Sequence, residues 1–365
     1  MDYESASTTM PGGPTIYDIA RRAGVGIATV SRVMNGSSRV TAATRDAVKR
    51  AMDDLGFRPN RAARRLAARG PNRPRVAALM PFFSGSFYVA VSRPLAQALA
   101  AADIDLVLHD VKSRDDKNRI LDRIVAERSC EALALCSMGI GAERQEQFAR
   151  LGVPMVSVDY PLAGVASITV DNADGMRQAL DHLRGSGARR IGFISGLPHA
   201  LAFREREATF TALAGADAPL TRAESMTRED GRAAAVRLLE LSPGLDAIVC
   251  ANDLFALGAL EELRARGVDV PGRMQVIGFD DQPLMDFIGL STVRQPMHAL
   301  GEWAAARLGE ALAGARLGDE ASRRLPVAFV ARATTRPAIT SSSTTRAAAG
   351  GQPIARRRRA AKESA

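Results

Sequence analysis

Four polar side chains each stand just beyond a short apolar run: Asp159 after Met155–Val158, Asp171 after Ile168–Val170, Asn252 after Ala247–Cys250 and Asp280 after Val276–Phe279. Such runs read as buried strands, and the carboxyl end of a parallel strand delivers polar groups to a crevice. Carboxylates accept hydrogen bonds while an amide both donates and accepts, so the set suits gripping hydroxyl groups. Arg206, in the stretch Phe203-Arg-Glu-Arg206, would add a fork of donors. Phe87 and Tyr88, placed in the loop after the first strand, would offer faces for a sugar or purine ring. Each residue also has an ordinary alternative: Asp and Asn cap the next helix, arginine lies on a solvated helix face, and aromatics fill a core. For Asn252 the two readings balance, because Asn252-Asp253 also opens the helix at Leu254. Acids, an amide, one arginine and aromatics together fit a polyhydroxylated ligand, whether sugar, sugar acid or nucleoside.

Neither catalysis nor a cofactor is expected. The chain carries no phosphate loop, nucleophile elbow or recognisable Ser/His/Asp set. Cys130, Cys136 and Cys250 fit reduced core positions, and neither they nor the four histidines have zinc-ligand spacing.

A second constellation is basic. Residues 15 to 75 hold fourteen Lys/Arg against four Asp/Glu, a net +10, whereas residues 76 to 345 hold 29 against 33, a net −4. A charge run is ordinarily a solvated face, but +10 within 61 residues is the footprint of a polyanion binder. The elements that would carry it are helices. Thr15-Ile-Tyr-Asp18 has the form of a capping box, and Ile16, Ile19, Ala20 and Ala23 follow at helical spacing. Gly24-Val-Gly26 makes a short turn, Ile27 to Met34 a second helix, and Thr41 to Leu55 a third that stops at Gly56. Helix, glycine turn, helix is the geometry that sets a recognition helix in the major groove. Gly24-Val-Gly26-Ile-Ala-Thr29 also approaches a dinucleotide fingerprint, but that motif must follow a strand, and Ile16 to Ala23 has period 3.6.

From residue 75 short apolar runs alternate with amphipathic helices: Val76–Met80, Ser92–Ala101, Ile104–Leu108, Asn118–Glu127, Ala132–Cys136, and onward through Ile191–Ser195. Strand-helix repetition means parallel sheets, and about 260 residues of it exceed one comfortable core, so two lobes are expected. The first fourteen residues hold two acids and no apolar stretch, no run of about 18 apolar residues exists, and the expected location is the cytoplasm. From about residue 340 a Ser/Thr/Ala/Gly-rich tail ends in Arg356 to Arg359 and Lys362.

TIYDIARRAGVGIATVSRVMNGSSRV, followed by TRDAV, LGFRPN and ARRL, resembles the signature of the lactose-repressor/purine-repressor family of bacterial transcriptional regulators. Farther on, ITVDNADG, HLRGSGARRIGFISG, AIVCANDLFALGALEELRARGVDVPG, VIGFDD and STVRQP are similar to landmarks of that family's periplasmic-binding-like core. The resemblance covers roughly residues 15 to 337. It implies that Ile27, Ala28 and Arg32 face base edges, and that Tyr17, Thr29, Ser31, Asn35 and Arg39 position the helix on phosphates and neighbouring bases. Arg32 matches guanine O6/N7 bidentately. The same resemblance makes Leu66 a minor-groove wedge on a hinge helix capped by Asn60, with Arg65 beside it. It favours the cleft for Arg206 as well.

Two departures stand out. Gly26 occupies the usual serine position at the start of the recognition helix, removing a cap worth about 1 kcal/mol. Gly85-Ser86 replaces the usual Asn-Pro before the paired aromatics.

The implied fold class is α/β: an all-α helix-turn-helix headpiece (15–58), a hinge (59–74) and a bilobal core of two parallel-sheet lobes (75–337), between disordered tails 1–14 and 338–365. The lobes would comprise about 76–171 plus 299–326, and about 172–298 plus 327–337, the chain crossing three times. The implied function is a repressor-type, sequence-specific DNA-binding regulator, homodimeric on a pseudo-palindromic operator and controlled by a small polyhydroxylated effector. A sugar-binding transport component on the same core would need a signal peptide and no basic headpiece, the reverse of what stands here.

Overall fold

A computed structural model describes residues 14–34, 40–57, 73–81 and 85–339. The expected tails and hinge fall almost wholly outside these residues, as do Asn35, Arg39, Asn60, Arg65 and Leu66.

Three short helices form the N-terminal unit: α1 (Ile16–Ala23), α2 (Ile27–Met34) and α3 (Ala42–Asp54). Helix α1 starts where Asp18 accepts both the backbone N–H of Thr15, at 2.9 Å, and its hydroxyl, at 2.6 Å. Those bonds hold the Asp18 carboxyl below its ordinary range. The helix ends at Gly24, whose φ of 67° lies where a Cβ is penalised and whose N–H returns to Ala20 and Arg21 carbonyls. Thr41 opens α3 by accepting from the Thr44 N–H at 3.3 Å. Ile19, Ala20, Val30, Val48 and Ala51 make the small shared core, with Leu55 and Phe57 packed at its edge.

Beyond it lie two six-stranded sheets. The first runs β11-β5-β4-β3-β1-β2, from β1 (Arg75–Pro81), β2 (Asp105–Val111), β3 (Ala132–Cys136), β4 (Met155–Val158), β5 (Ala166–Val170) and β11 (Arg323–Leu325), and every pairing is parallel. The second runs β12-β10-β9-β8-β6-β7, from β6 (Ile191–Ser195), β7 (Leu220–Arg222), β8 (Ala247–Cys250), β9 (Gln275–Asp280), β10 (Ser291–Arg294) and β12 (Ala328–Val330), and only the β10/β12 pair is antiparallel. Strands β3, β6 and β8 are buried at every position, as strands covered on both faces must be, which is why they read as unbroken apolar runs. The chain passes between lobes after β5, before helix α12 (Met297–Leu312), and between β11 and β12. Among the described residues, no helix is long and apolar enough to cross a membrane.

Phe87 and Tyr88 are not in a loop but in the first turn of helix α4 (Ser86–Ala101), which begins six residues before the expected Ser92 start and contains Pro94. Proline at an interior position removes one backbone hydrogen bond and reads from sequence as a boundary, yet the helix continues through it because Val91, Leu95 and Leu99 are buried on the lobe.

Candidate functional sites: a DNA-facing helix and an interlobe cleft

In the N-terminal unit the α2 backbone is set by the core beneath it. Val30 is fully buried against Ile19 and Val48, so the opposite face of an eight-residue helix must point outward. Ile27, Ala28 and Arg32 are exposed, and Thr29 and Ser31 half-buried. Tyr17, on α1, is 63% exposed, large for an aromatic with no partner ring among the described residues. Gly26 precedes the helix, its carbonyl accepting from the Thr29 and Val30 N–H groups, and a Cβ there would meet nothing within 4 Å. An exposed isoleucine and arginine on a helix seated on this core form an outward face with no structural task of their own.

The second site is a cleft of about 780 Å³ between the two sheets, lined from both lobes at the carboxyl ends of the strands. At its centre is Arg206, on α8 (Leu201–Ala214), only 3% exposed. Its Nε donates to Asn172 Oδ1 at 2.8 Å, one Nη donates to the Ala251 carbonyl at 2.5 Å, and the same Nη lies 3.7 Å from Asp280 Oδ1. The guanidinium carbon sits 3.6 Å from the centre of the Phe279 ring. Burial lowers the Arg206 pKa, and the facing acids, Asp280 first, pull it back up. Asp280 accepts from Gln282 at 2.9 Å and Gln295 at 2.6 Å, and burial raises its pKa against the pull of Arg206. Its φ of 122° and the φ of 58° at Asp159 are conformations that L-residues rarely adopt, and both are at the cleft.

Asp159, at the end of β4, accepts from the Ser137 hydroxyl at 2.7 Å. Desolvation by the cleft walls pushes its carboxyl up to about 6, with Ser137 and then Arg206 opposing the rise. Phe87 and Tyr88 both line the cleft, their rings edge to face at 5.1 Å, with Tyr88 the more buried. Tyr160 stands on the same wall, its ring so close to Gly139 that any Cβ there would lie 2.7 Å from it.

The sequence-named residues divide cleanly. Phe87, Tyr88, Asp159, Arg206, Asn252 and Asp280 converge on the cleft. Asn252 also caps α10 (Asp253–Ala265): its Oδ1 accepts from the Phe255 N–H at 2.8 Å, leaving Nδ2 beside Met226 Sδ in the cleft wall. Asp171 does not line the cleft. It caps α7 (Asn172–Gly185), accepting from the Asp174 N–H at 2.8 Å, because β5 ends directly at a helix start and the carboxylate turns to the free N–H groups. Asp253 is likewise spent inside the fold, accepting from Thr292 and the Gln282 N–H. The sequence reading missed Ser137, Gln282 and Gln295. Ser137 follows an apolar run just as Asp159 does and was open to the same argument. Gln295 had no local signal, though its Oε1 is buried beside the cleft without a hydrogen-bond partner among the described residues.

Residues 15–60 match the model for bacterial regulatory proteins of the lacI family, and residues 180–335 the model for a periplasmic binding protein-like domain. The HTH-type transcriptional regulator CelR of Thermobifida fusca is 35% identical over 318 residues, which span 82% of this chain and 92% of that protein. A solved complex of the transcriptional regulator CelR with cellobiose superposes with a TM-score of 0.64 at 29% identity, covering 88% of this chain and 99% of that one. The lac repressor dimer bound to operator and the anti-inducer ONPF does so with a TM-score of 0.64 at 25% identity, covering 89% and 99%.

Proposed function

Because the chain belongs to the lacI family of bacterial regulatory proteins, and so is a DNA-binding transcriptional regulator rather than an enzyme, we propose that it is a cytoplasmic repressor whose operator affinity is set by a saccharide held in the interlobe cleft. The observation that carries this reading is the Arg206 centre. A buried guanidinium stacked on Phe279 and bonded to Asn172 and the Ala251 carbonyl, with Asp280 3.7 Å away and Asp159, Asn252, Gln282 and Gln295 lining the same cleft, gathers donors and acceptors suited to gripping hydroxyl groups. Phe87 and Tyr160 add ring faces, and the volume is that of a small-molecule site. A CelR structure holding cellobiose supports the sugar class.

The DNA-reading role falls to Ile27, Ala28 and Arg32 on α2, with Tyr17, Thr29 and Ser31 positioning it. Asn35, Arg39, Asn60, Arg65 and Leu66, proposed from sequence, complete the set outside the described residues. One eight-residue helix spans a half-site, so two copies on a pseudo-palindrome follow, as in the lac repressor dimer. Leu284, Phe287 and Ile288, which are 67%, 89% and 42% exposed around a short helix of the second lobe, offer an apolar patch for the second copy. Ligand and operator act on one equilibrium, so each changes the other's affinity by the same factor. The test is operator titration with and without a panel of mono- and disaccharides. A shift in operator affinity with at least one saccharide is the expected result, and a protein that binds operator identically with all of them is not saccharide-controlled.

A further inference from the structure

Charge is unevenly spread along the cleft. Among the described residues, four cations line it, Lys112, Arg114, Lys117 and Arg206, against two carboxylates, Asp159 and Asp280. Both carboxylates act on Arg206, deep in the cleft. The other three cations stand together on the lip of the first lobe, where β2 gives way to α5 (Arg114–Glu127), with no carboxylate lining the cleft beside them. Asp116, close by in sequence, is turned to the Lys112 backbone N–H at 3.1 Å and to Arg119 at 3.0 Å, and does not line the cleft. Lys112 and Arg114 are exposed. Lys117 is half-buried, and its Nζ donates to the Gly139 carbonyl at 2.6 Å, which fixes the ammonium at the cleft and leaves two of its three hydrogens for a ligand. Burial, then the like charge of Arg114, lower its pKa.

Resting on the saccharide reading, we propose that the preferred effector is an anionic saccharide: a hydroxyl-rich ring held in the depth by Asp159, Asn252 and Asp280, and a carboxylate or phosphate group held at the lip by Arg114 and Lys117. Neutral rings satisfy the deep groups alone. An anion on the outer part of the ligand would supply the charge the lip lacks, and at a partly solvated site one such pairing is worth about tenfold in affinity.

The experiment is calorimetric titration of the full-length protein with matched sets, each a neutral disaccharide, its uronate and its phosphate ester, in the gluco, galacto and manno series. In the series that binds, at least one anionic member should bind about tenfold more tightly than the neutral one, and the tighter of the two identifies carboxylate or phosphate as the group recognised. Raising salt from about 0.02 M to about 0.5 M should shrink that preference in the unaltered protein, since a lip contact is screened. Arg114→Gln combined with Lys117→Gln should bring the ratio close to one. A neutral member that binds as tightly as both anionic members overturns the proposal, and so does a preference that survives both salt and the double substitution. If no member of any series binds, the saccharide reading falls, and this one with it.

Discussion

Two arginines, each on a helix and each central to a site, live under opposite conditions. Arg32 is exposed on α2, with no hydrogen bond or ion pair among the described residues, above a core of five buried side chains. Arg206 is 3% exposed and held by Asn172, Ala251 and Asp280, from the start of a helix, a strand-helix link and the end of a strand. The headpiece displays its chemistry and keeps its stability elsewhere, whereas the core uses the same groups for both. Substitutions should therefore separate binding from folding in one region and couple them in the other.

The largest effect is expected at the coupled site. Arg206→Ala should destabilise the core by about 3–5 kcal/mol in denaturant unfolding, because it leaves Asp280 buried without a counter-charge. A loss below about 1 kcal/mol would show that Arg206 acts only on ligand, and the contrast between regions would collapse. Arg32→Ala should do the reverse, costing about 1–3 kcal/mol of operator affinity and relaxing preference at one base pair per half-site, with unfolding unchanged. Equal loss on every operator variant would make it a phosphate contact.

Asp159 sharpens the comparison through pH. Burial at the cleft raises its carboxyl to about 6, so its charged form is disfavoured in the folded core. This group therefore destabilises the folded core above about pH 6, and the penalty is relieved as pH falls toward its ordinary value of 3.8. A hydroxyl donated to Asp159 favours the carboxylate, so ligand affinity should instead rise with pH through about 6 and fall by up to about tenfold per unit below it. Asp159→Asn should flatten that profile, and an unaltered profile would place the titrating group elsewhere.

Asp171→Ala tests capping against ligand contact. It should cost about 1 kcal/mol of stability and leave saccharide affinity as it was, whereas lost affinity at full stability would return Asp171 to the cleft. The smallest effect belongs to Gly26→Ser, which has free space and adds a cap to α2. Headpiece melting should rise by a few tenths of a kcal/mol to about 1 kcal/mol, and a decrease would mean the added hydroxyl does not reach the free N–H groups.

Much of this was legible in the chain because it is written locally. The strand at Ala132–Cys136, the Thr15–Asp18 cap and the Gly24 turn depend on a few neighbouring residues, and the structure places each where the pattern does. Phe87 and Tyr88 read as loop because Pro94 and the glycine at 85 punctuate the sequence more strongly than one buried helix face can. For Asp171 and Asn252 the sequence named two roles and had no means of choosing, since both follow a strand and precede a helix.

Sequence alone determined the periods, the caps, the location of the charge and therefore the division into a basic helical reader and an α/β sensor, because these arise from steric and hydrogen-bond preferences acting over one or two turns. Tertiary structure decided which strand-end groups share a cleft, that Gln295 and Asp280 meet across fifteen residues, and that Arg206 is clamped rather than solvated. Those outcomes depend on how two sheets, crossed three times by the chain, set their carboxyl ends face to face, and no local spacing encodes that distance.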